Sequence, residues 1–104
     1  MRCHPSQLID RILRVGLKSI CRYRVVACGF DSNGAIISIK SNQPRLKTRG
    51  AHAEERVIFS SPKTLAKIII ARIGAKGQFL PIDPCSKCQE LADKRQIKIE
   101  RILP

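Results

Sequence analysis

Five side chains in this sequence are placed to do chemistry: His52, Glu54, Glu55, Cys85 and Cys88. Cys85 and Cys88 stand three positions apart in "PCSKC". At a helix start that spacing brings both sulfurs to one side of the first turn, where exposed amides and the helix dipole favour thiolates. Taken alone, C-x-x-C reads as a redox pair, as half a zinc ribbon, or as no site. A ribbon needs a second C-x-x-C, which the sequence lacks, and a thioredoxin-like site normally has an aromatic neighbour, which "IDPCSKC" lacks. His52 sharpens the choice, because it opens a second helix-forming stretch, "AHAEERVIFS". Two helix starts meeting at one point would give zinc three ligands, His52, Cys85 and Cys88, and leave the fourth position open, which is the catalytic arrangement. Zinc so held acidifies water toward neutral pH. Glu54, two residues after His52, is placed to take that water's proton and deliver it to a leaving nitrogen. Glu55 points elsewhere on the helix and reads as a first-turn acid facing solvent or an arginine. A structural or degenerate zinc site, with Cys28, Cys21 or His4 as fourth ligand, is the alternative.

The elements that must position these residues follow from periodicity. "SQLIDRILRVGLKSI" sets Leu8, Ile9, Ile12, Leu13, Leu17 and Ile20 on one stripe at helical spacing, with Arg11, Arg14 and Lys18 largely off it. "YRVVACGF" and "AIISIK" flank "DSNG", the pattern of a β-hairpin. "SNQPRLKTRG" reads as loop, broken by Pro44 and Gly50. After the His52 helix, "LAKIIIARI" reads as a buried strand and "GAKGQFLPID" as loop. "PCSKCQELADK" is a helix opened by Pro84, and "QIKIERIL" a final strand. The expected architecture is α/β, in the order α-β-β-α-β-α-β, as one domain over residues 1–104. Its mixed sheet has about four strands flanked by helices in three layers, and its last β-α-β unit implies a parallel pair.

Composition narrows the function classes. Twenty basic residues against eight acidic ones give a net charge of +12, which draws polyanions, nucleic acid first among them. With no Trp, one Tyr and three Phe, a platform stacking several successive bases is not available. Neither a membrane-spanning apolar run nor a signal-peptide pattern is present, so a cytoplasmic protein without a membrane partner is expected. Five cysteines make an odd count, which suits metal ligands and small core residues better than a disulfide framework.

H-x-E followed by P-C-x-x-C is the established signature of zinc base deaminases. On that motif, and on the order of helix, hairpin, "SN", "HAE", strand, "PCSKC" and strand, the sequence resembles the cytidine deaminase-like superfamily. The resemblance runs over nearly the whole chain, with the metal motif specific and the rest topological. It implies His52, Cys85 and Cys88 as zinc ligands and Glu54 as proton shuttle. Asn42, ten residues before His52, matches the family's sugar-binding asparagine. The resemblance also implies that backbone amides near Ala53 and Cys85 orient water and base, and that Val26 and Ala27 line the base pocket. Where most family members continue with a fifth strand and further helices, this sequence stops shortly after its fourth strand, as a compact member would. That leaves a sheet edge for a second subunit.

The implied reaction is hydrolytic deamination of cytosine to uracil, with cytosine expected before adenine. A histidine as first ligand leans toward the nucleotide and polynucleotide branches of the family, whereas "CSKCQE" leans toward nucleoside deaminases. Arg45, Lys47 and Arg49 fall between Asn42 and His52, where they would ring the pocket mouth and grip phosphate. Single-stranded nucleic acid is therefore the expected substrate, free cytidine or deoxycytidylate the second reading, and a non-catalytic zinc-stabilised nucleic-acid-binding module the third. Phe30 is a candidate to stack on a base, against a core role at the hairpin.

Overall fold

The structure, a computed structural model, describes residues 5–18, 24–46 and 49–104, with side chains at 7–18, 24–42 and 52–104. Its centre is β5 (Leu65–Ile73), the run "LAKIIIARI". The alternation of a strand sends Ile68 and Ile70 to one face and Ala71 and Ile73 to the other, and because both faces are covered the run is apolar throughout. β1 (Arg24–Asp31) lies antiparallel beside it, setting Val26 opposite Ala71 and Ala27 opposite Ile70. β2 (Ile36–Ser41) pairs antiparallel with β1. On the other side of β5, β7 (Lys98–Arg101) runs parallel, and the short β6 (Phe79–Leu80) pairs antiparallel with the end of β5. The result is a mixed five-stranded sheet, with the parallel β5–β7 pair expected from the last β-α-β unit.

Three layers form because each sheet face has its own helical cover. α1 (Pro5–Leu17) packs Ile12 against Val26, Ala71 and Ile73 on one face. α2 (Ala53–Ser60) and α3 (Ser86–Lys94) bring Val57, Ile58 and Ala92 against Val25, Ala27, Ile68 and Ile70 on the other. Close approach is built into glycine: a Cβ at Gly16 would stand 2.7 Å from Ile73 Cγ1, and one at Gly29 would stand 2.7 Å from both Val57 Cγ1 and Leu65 Cδ1. α2 can therefore lie tight on β1 only while position 29 has no side chain.

Two stretches read as loop carry short strands. Within residues 41–50, β3 (Gln43–Leu46) pairs antiparallel with β4 (Arg49–Ala51), and β6 lies within "GAKGQFLPID". The first of these shapes the site. Pairing Gln43 with Ala51 folds the segment back on itself, so Asn42 and His52, at its two ends, become neighbours.

Gly29→Ala should lower the stability of the fold by about 1–3 kcal/mol, the usual cost of overpacking a well-filled contact. A shift in the urea midpoint at unchanged slope is the measurement, and an unshifted midpoint would mean that α2 is not held at this distance.

Candidate metal centre and cleft

Helix N-caps are normally Ser, Thr, Asp or Asn, whose oxygens satisfy the first free amides. α2 and α3 break this rule in the same way. Their N-caps are His52 and Cys85, both in extended backbone conformation, and neither side chain makes a capping hydrogen bond. The backbone does its part, since Arg56 N–H donates to His52 O at 3.0 Å and Gln89 N–H donates to Cys85 O at 2.9 Å. The two side chains are thus turned to another use. Cys88, in the first turn after Cys85, is fully buried, whereas His52 and Cys85 are partly exposed. One donor atom from each of the three lies within 4.8 Å of the other two. Two helix starts meet at one point, as the sequence requires of a three-ligand site.

The electrostatics of this point call for a cation. Burial first, then the negative charges of Glu54, Cys85 and Glu55, push the Cys88 thiol far above its ordinary value. The donor set fits zinc: two sulfurs and one imidazole nitrogen are borderline-soft ligands in the number a catalytic zinc takes from protein. Glu54 is the only charged residue in the buried core of the described residues, at 4% exposure. Such burial is costly for a carboxylate unless a cation or a bound molecule compensates it.

A cleft of about 270 Å³ opens beside these donors, lined by Val25, Asn42, His52, Glu54, Ile82 and Cys85, with Ala53 and Asp83 completing the wall. Asn42 is fixed at its edge from two sides: its backbone N–H donates to Val25 O at 2.9 Å, and its Oδ1 accepts from Val25 N–H at 3.0 Å. Arg56 ties α2 to the same strand end by donating from Nη1 to Ser41 O at 2.6 Å. Asp83 pairs with Arg101, whose Nη1 also donates to Ile82 O at 3.3 Å, so β7 anchors the loop leading into Cys85.

Of the residues singled out from sequence, His52, Ala53, Glu54, Asn42 and Cys85 border this cleft, and Cys88 lies directly behind it. Val26 does not. It shares the opposite sheet face with Ile12 and Ala71, and Val25, one residue earlier, lines the cleft instead. Ala27, on the face of Val25, is core. Cys28 follows the parity of Val26 and is outside the donor cluster, so it is no fourth ligand; Cys21 and His4 lie outside the described residues. Phe30 is buried, with Lys67 Nζ 5.3 Å from its ring centre, and takes the core role. Glu55 corrects another expectation: its Oε1 accepts from Cys88 Sγ at 3.8 Å, so it turns toward Cys88 rather than to solvent or an arginine. Arg45 and Arg49 lie on β3 and β4, whose backbones alone are described, and Lys47 lies outside the described residues. Val25, Ile82 and Asp83 were not foreseen; strand alternation from Ala27 would have pointed to Val25.

The fold is that of the cytidine deaminases. A cytidine deaminase from Burkholderia pseudomallei matches with a TM-score of 0.67 at 17% identity, over 96% of this chain and 87% of that one. One from Mycobacterium leprae matches with a TM-score of 0.61 at 18% identity, over 88% and 82%. A mutant cytidine deaminase from Mycobacterium tuberculosis matches with a TM-score of 0.65 at 14% identity, over 94% and 85%. No protein-family model and no curated relative matches the sequence. Among the described residues, no helix is long and apolar enough to cross a membrane.

Zinc bound by this group would have to displace the proton that Cys88 holds, so its apparent affinity should tighten about tenfold per pH unit for each proton released. Competition with a chelator across neutral pH measures this, and Cys88→Ser should leave less than one zinc per chain. Without metal the sign reverses. The folded thiol keeps its proton while the unfolded one ionises near 9.0, so metal-free stability should fall as pH rises through that value.

Proposed function

We propose that this chain, built on the cytidine deaminase fold, is a zinc-dependent hydrolase that converts cytosine to uracil within a nucleotide unit and releases ammonia. The observation that carries this reading is the meeting of His52, Cys85 and Cys88 beside the buried Glu54 on one small cleft. When bound by those three residues, zinc would supply an acidified water as nucleophile. The chain's own groups supply the rest. Glu54 takes one proton from the attacking water and gives it to ring N3 as the C4–O bond forms and the C4=N3 double bond opens. It then carries the remaining hydroxyl proton to the exocyclic nitrogen, so that the C4–N bond breaks, C4=O forms and ammonia leaves. Val25 and Ile82 offer apolar walls to the base, the first-turn amides at Ala53 and Cys85 orient base and water, and Asn42 receives the sugar. A cleft of about 270 Å³ calls for a base already unpaired, which a single strand presents without the cost of opening a duplex.

Single-stranded nucleic acid is the reading preferred for the polymer question. The net charge of +12 supports it, as does the placement of Arg45, Lys47 and Arg49 on the segment joining Asn42 to His52. A second reading, free cytidine or deoxycytidylate, is favoured by the three solved structures, all described as cytidine deaminases. A third, a zinc-stabilised binding module without catalysis, keeps the donors and makes Glu54 incidental.

Uracil formation measured in parallel on a cytosine oligonucleotide, on deoxycytidylate and on cytidine separates these readings. The oligonucleotide should turn over fastest, with activity falling steeply as salt rises. Glu54→Ala should reduce turnover by about 10²–10⁴-fold while zinc stays bound. Turnover unchanged in that variant would exclude Glu54 as proton carrier, and no uracil from any substrate would leave the binding module.

A further inference from the structure

The cleft described above lies at the N-terminal ends of α2 and α3. A second recess, of about 380 Å³, opens at their other ends. Ile58, Leu65 and Ile97 give it apolar walls; Ser61, Lys63 and Arg95 give it polar groups, and no carboxylate among the described residues lines it. Ser61 is the C-cap of α2 and Arg95 the C-cap of α3, so the two openings are separated by the length of the helices. Phe59, on the last turn of α2, is 60% exposed, and the Arg95 guanidinium stands 5.6 Å from its ring centre. Ser61 Oγ is buried yet has no hydrogen-bond partner among the described residues.

Each feature has an ordinary explanation when taken alone. A single exposed aromatic is common on protein surfaces, and an arginine at a helix end complements the last carbonyls. Neither explains why an arginine, a lysine and an unpartnered hydroxyl share one recess, with the exposed Phe59 ring outside its lining but beside it through Arg95. A buried hydroxyl left without a partner is a cost to the fold that a bound acceptor or donor would remove.

We infer that this recess is a second contact site for single-stranded nucleic acid, holding one base against Phe59 and its flanking phosphates on Lys63 and Arg95. An aromatic face beside cations is the chemistry that takes single strands with little sequence preference, since every base has a π-face. One ring at the site means one stacked base. Polyphosphate also suits a chain whose basic residues exceed its acidic ones by twelve. The inference is independent of the catalytic reading, because the site shares no residue with the zinc cleft.

The test uses the zinc-loaded chain and a fluorescent oligothymidylate, which offers the first cleft no exocyclic amine and so is not turned over during the measurement. Phe59→Ala should weaken binding about 5- to 100-fold. Lys63→Glu should weaken it further as salt falls and flatten its salt dependence. Both residues are at the surface, so melting temperature and solution mass should stay unchanged. Glu54→Ala should bind the strand as tightly as the parent, so a failed deamination assay leaves this result readable. Three outcomes would overturn the inference. Strand affinity unchanged in Phe59→Ala would place binding elsewhere. Thymidylate competing as well as the strand, nucleotide for nucleotide, would make this a free-nucleotide site. A lower solution mass in Phe59→Ala would make the face a contact between copies.

Discussion

Like charge crowded into a small buried volume is the constraint around which this molecule is arranged. Cys85, Cys88, Glu54 and Glu55 come together at the N-termini of α2 and α3, where burial first, and then Glu54, Cys85 and Glu55, raise the cost of ionising Cys88. Two helix N-termini offset part of that cost with their exposed amides. A divalent cation held by His52, Cys85 and Cys88 would offset the rest and, on the proposed reading, would leave Glu54 as a buried base beside it.

Holding the arrangement demands that two helices from separate parts of the chain keep fixed positions on one sheet face. Small residues set the distances: Ala53 and Ala92 are fully buried in the helices, and Gly29 receives Val57 and Leu65 where any side chain would collide. Polar ties set the angles. Arg56 on α2 reaches the end of β2 at Ser41, Asn42 is bound on two sides by Val25, and Arg101 on β7 grips the loop before Cys85. Arg101 and Asp83 are substantially exposed, so their pairing contributes orientation more than stability. The tie matters because it fixes the backbone immediately ahead of a ligand.

How legible each part was in the sequence depended on the range of the interaction that decides it. H-x-E and C-x-x-C are local geometries, fixed by one turn of helix, and they could be read without knowing the fold. The strand "LAKIIIARI" was equally plain, since an apolar β-branched run has few other fates. Which of Val25 and Val26 faces the cleft was not local. It depends on the register of β1 against β5 and on which face α2 covers, and an error of one residue reverses the answer. Glu55 was misread for a related reason: helix geometry separates it from Glu54, but α3 packs alongside and brings Cys88 to it. The hairpin of β3 and β4 was hidden by Pro44 and by the charges around it, which are loop signals unless the ends of the segment are pinned. Here they are pinned, by the bonds of Asn42 to Val25 of β1 and by His52 at the N-cap of α2.

The distribution of carboxylates bears on what the molecule meets. Of eight acidic residues, Glu54 and Glu55 stand close enough to Cys88 to raise the cost of ionising it. Asp31 accepts from Asn33 and Ala35 amides in the β1–β2 turn, and Asp93 accepts from Gln89. Asp83 pairs with Arg101, while Glu100 is shared by Lys67 and Lys98. Most of the acid in this protein is thus committed to internal tasks, and little of it shields the twenty basic side chains. A surface left so positive condenses polyanions over its whole extent, which gives attraction without position. Position has to come from places where a base can leave water as well as a phosphate find a cation. On the proposed reading the cleft walled by Val25 and Ile82 is one such place, and the recess beside Phe59, at the opposite ends of the same helices, has the composition of another.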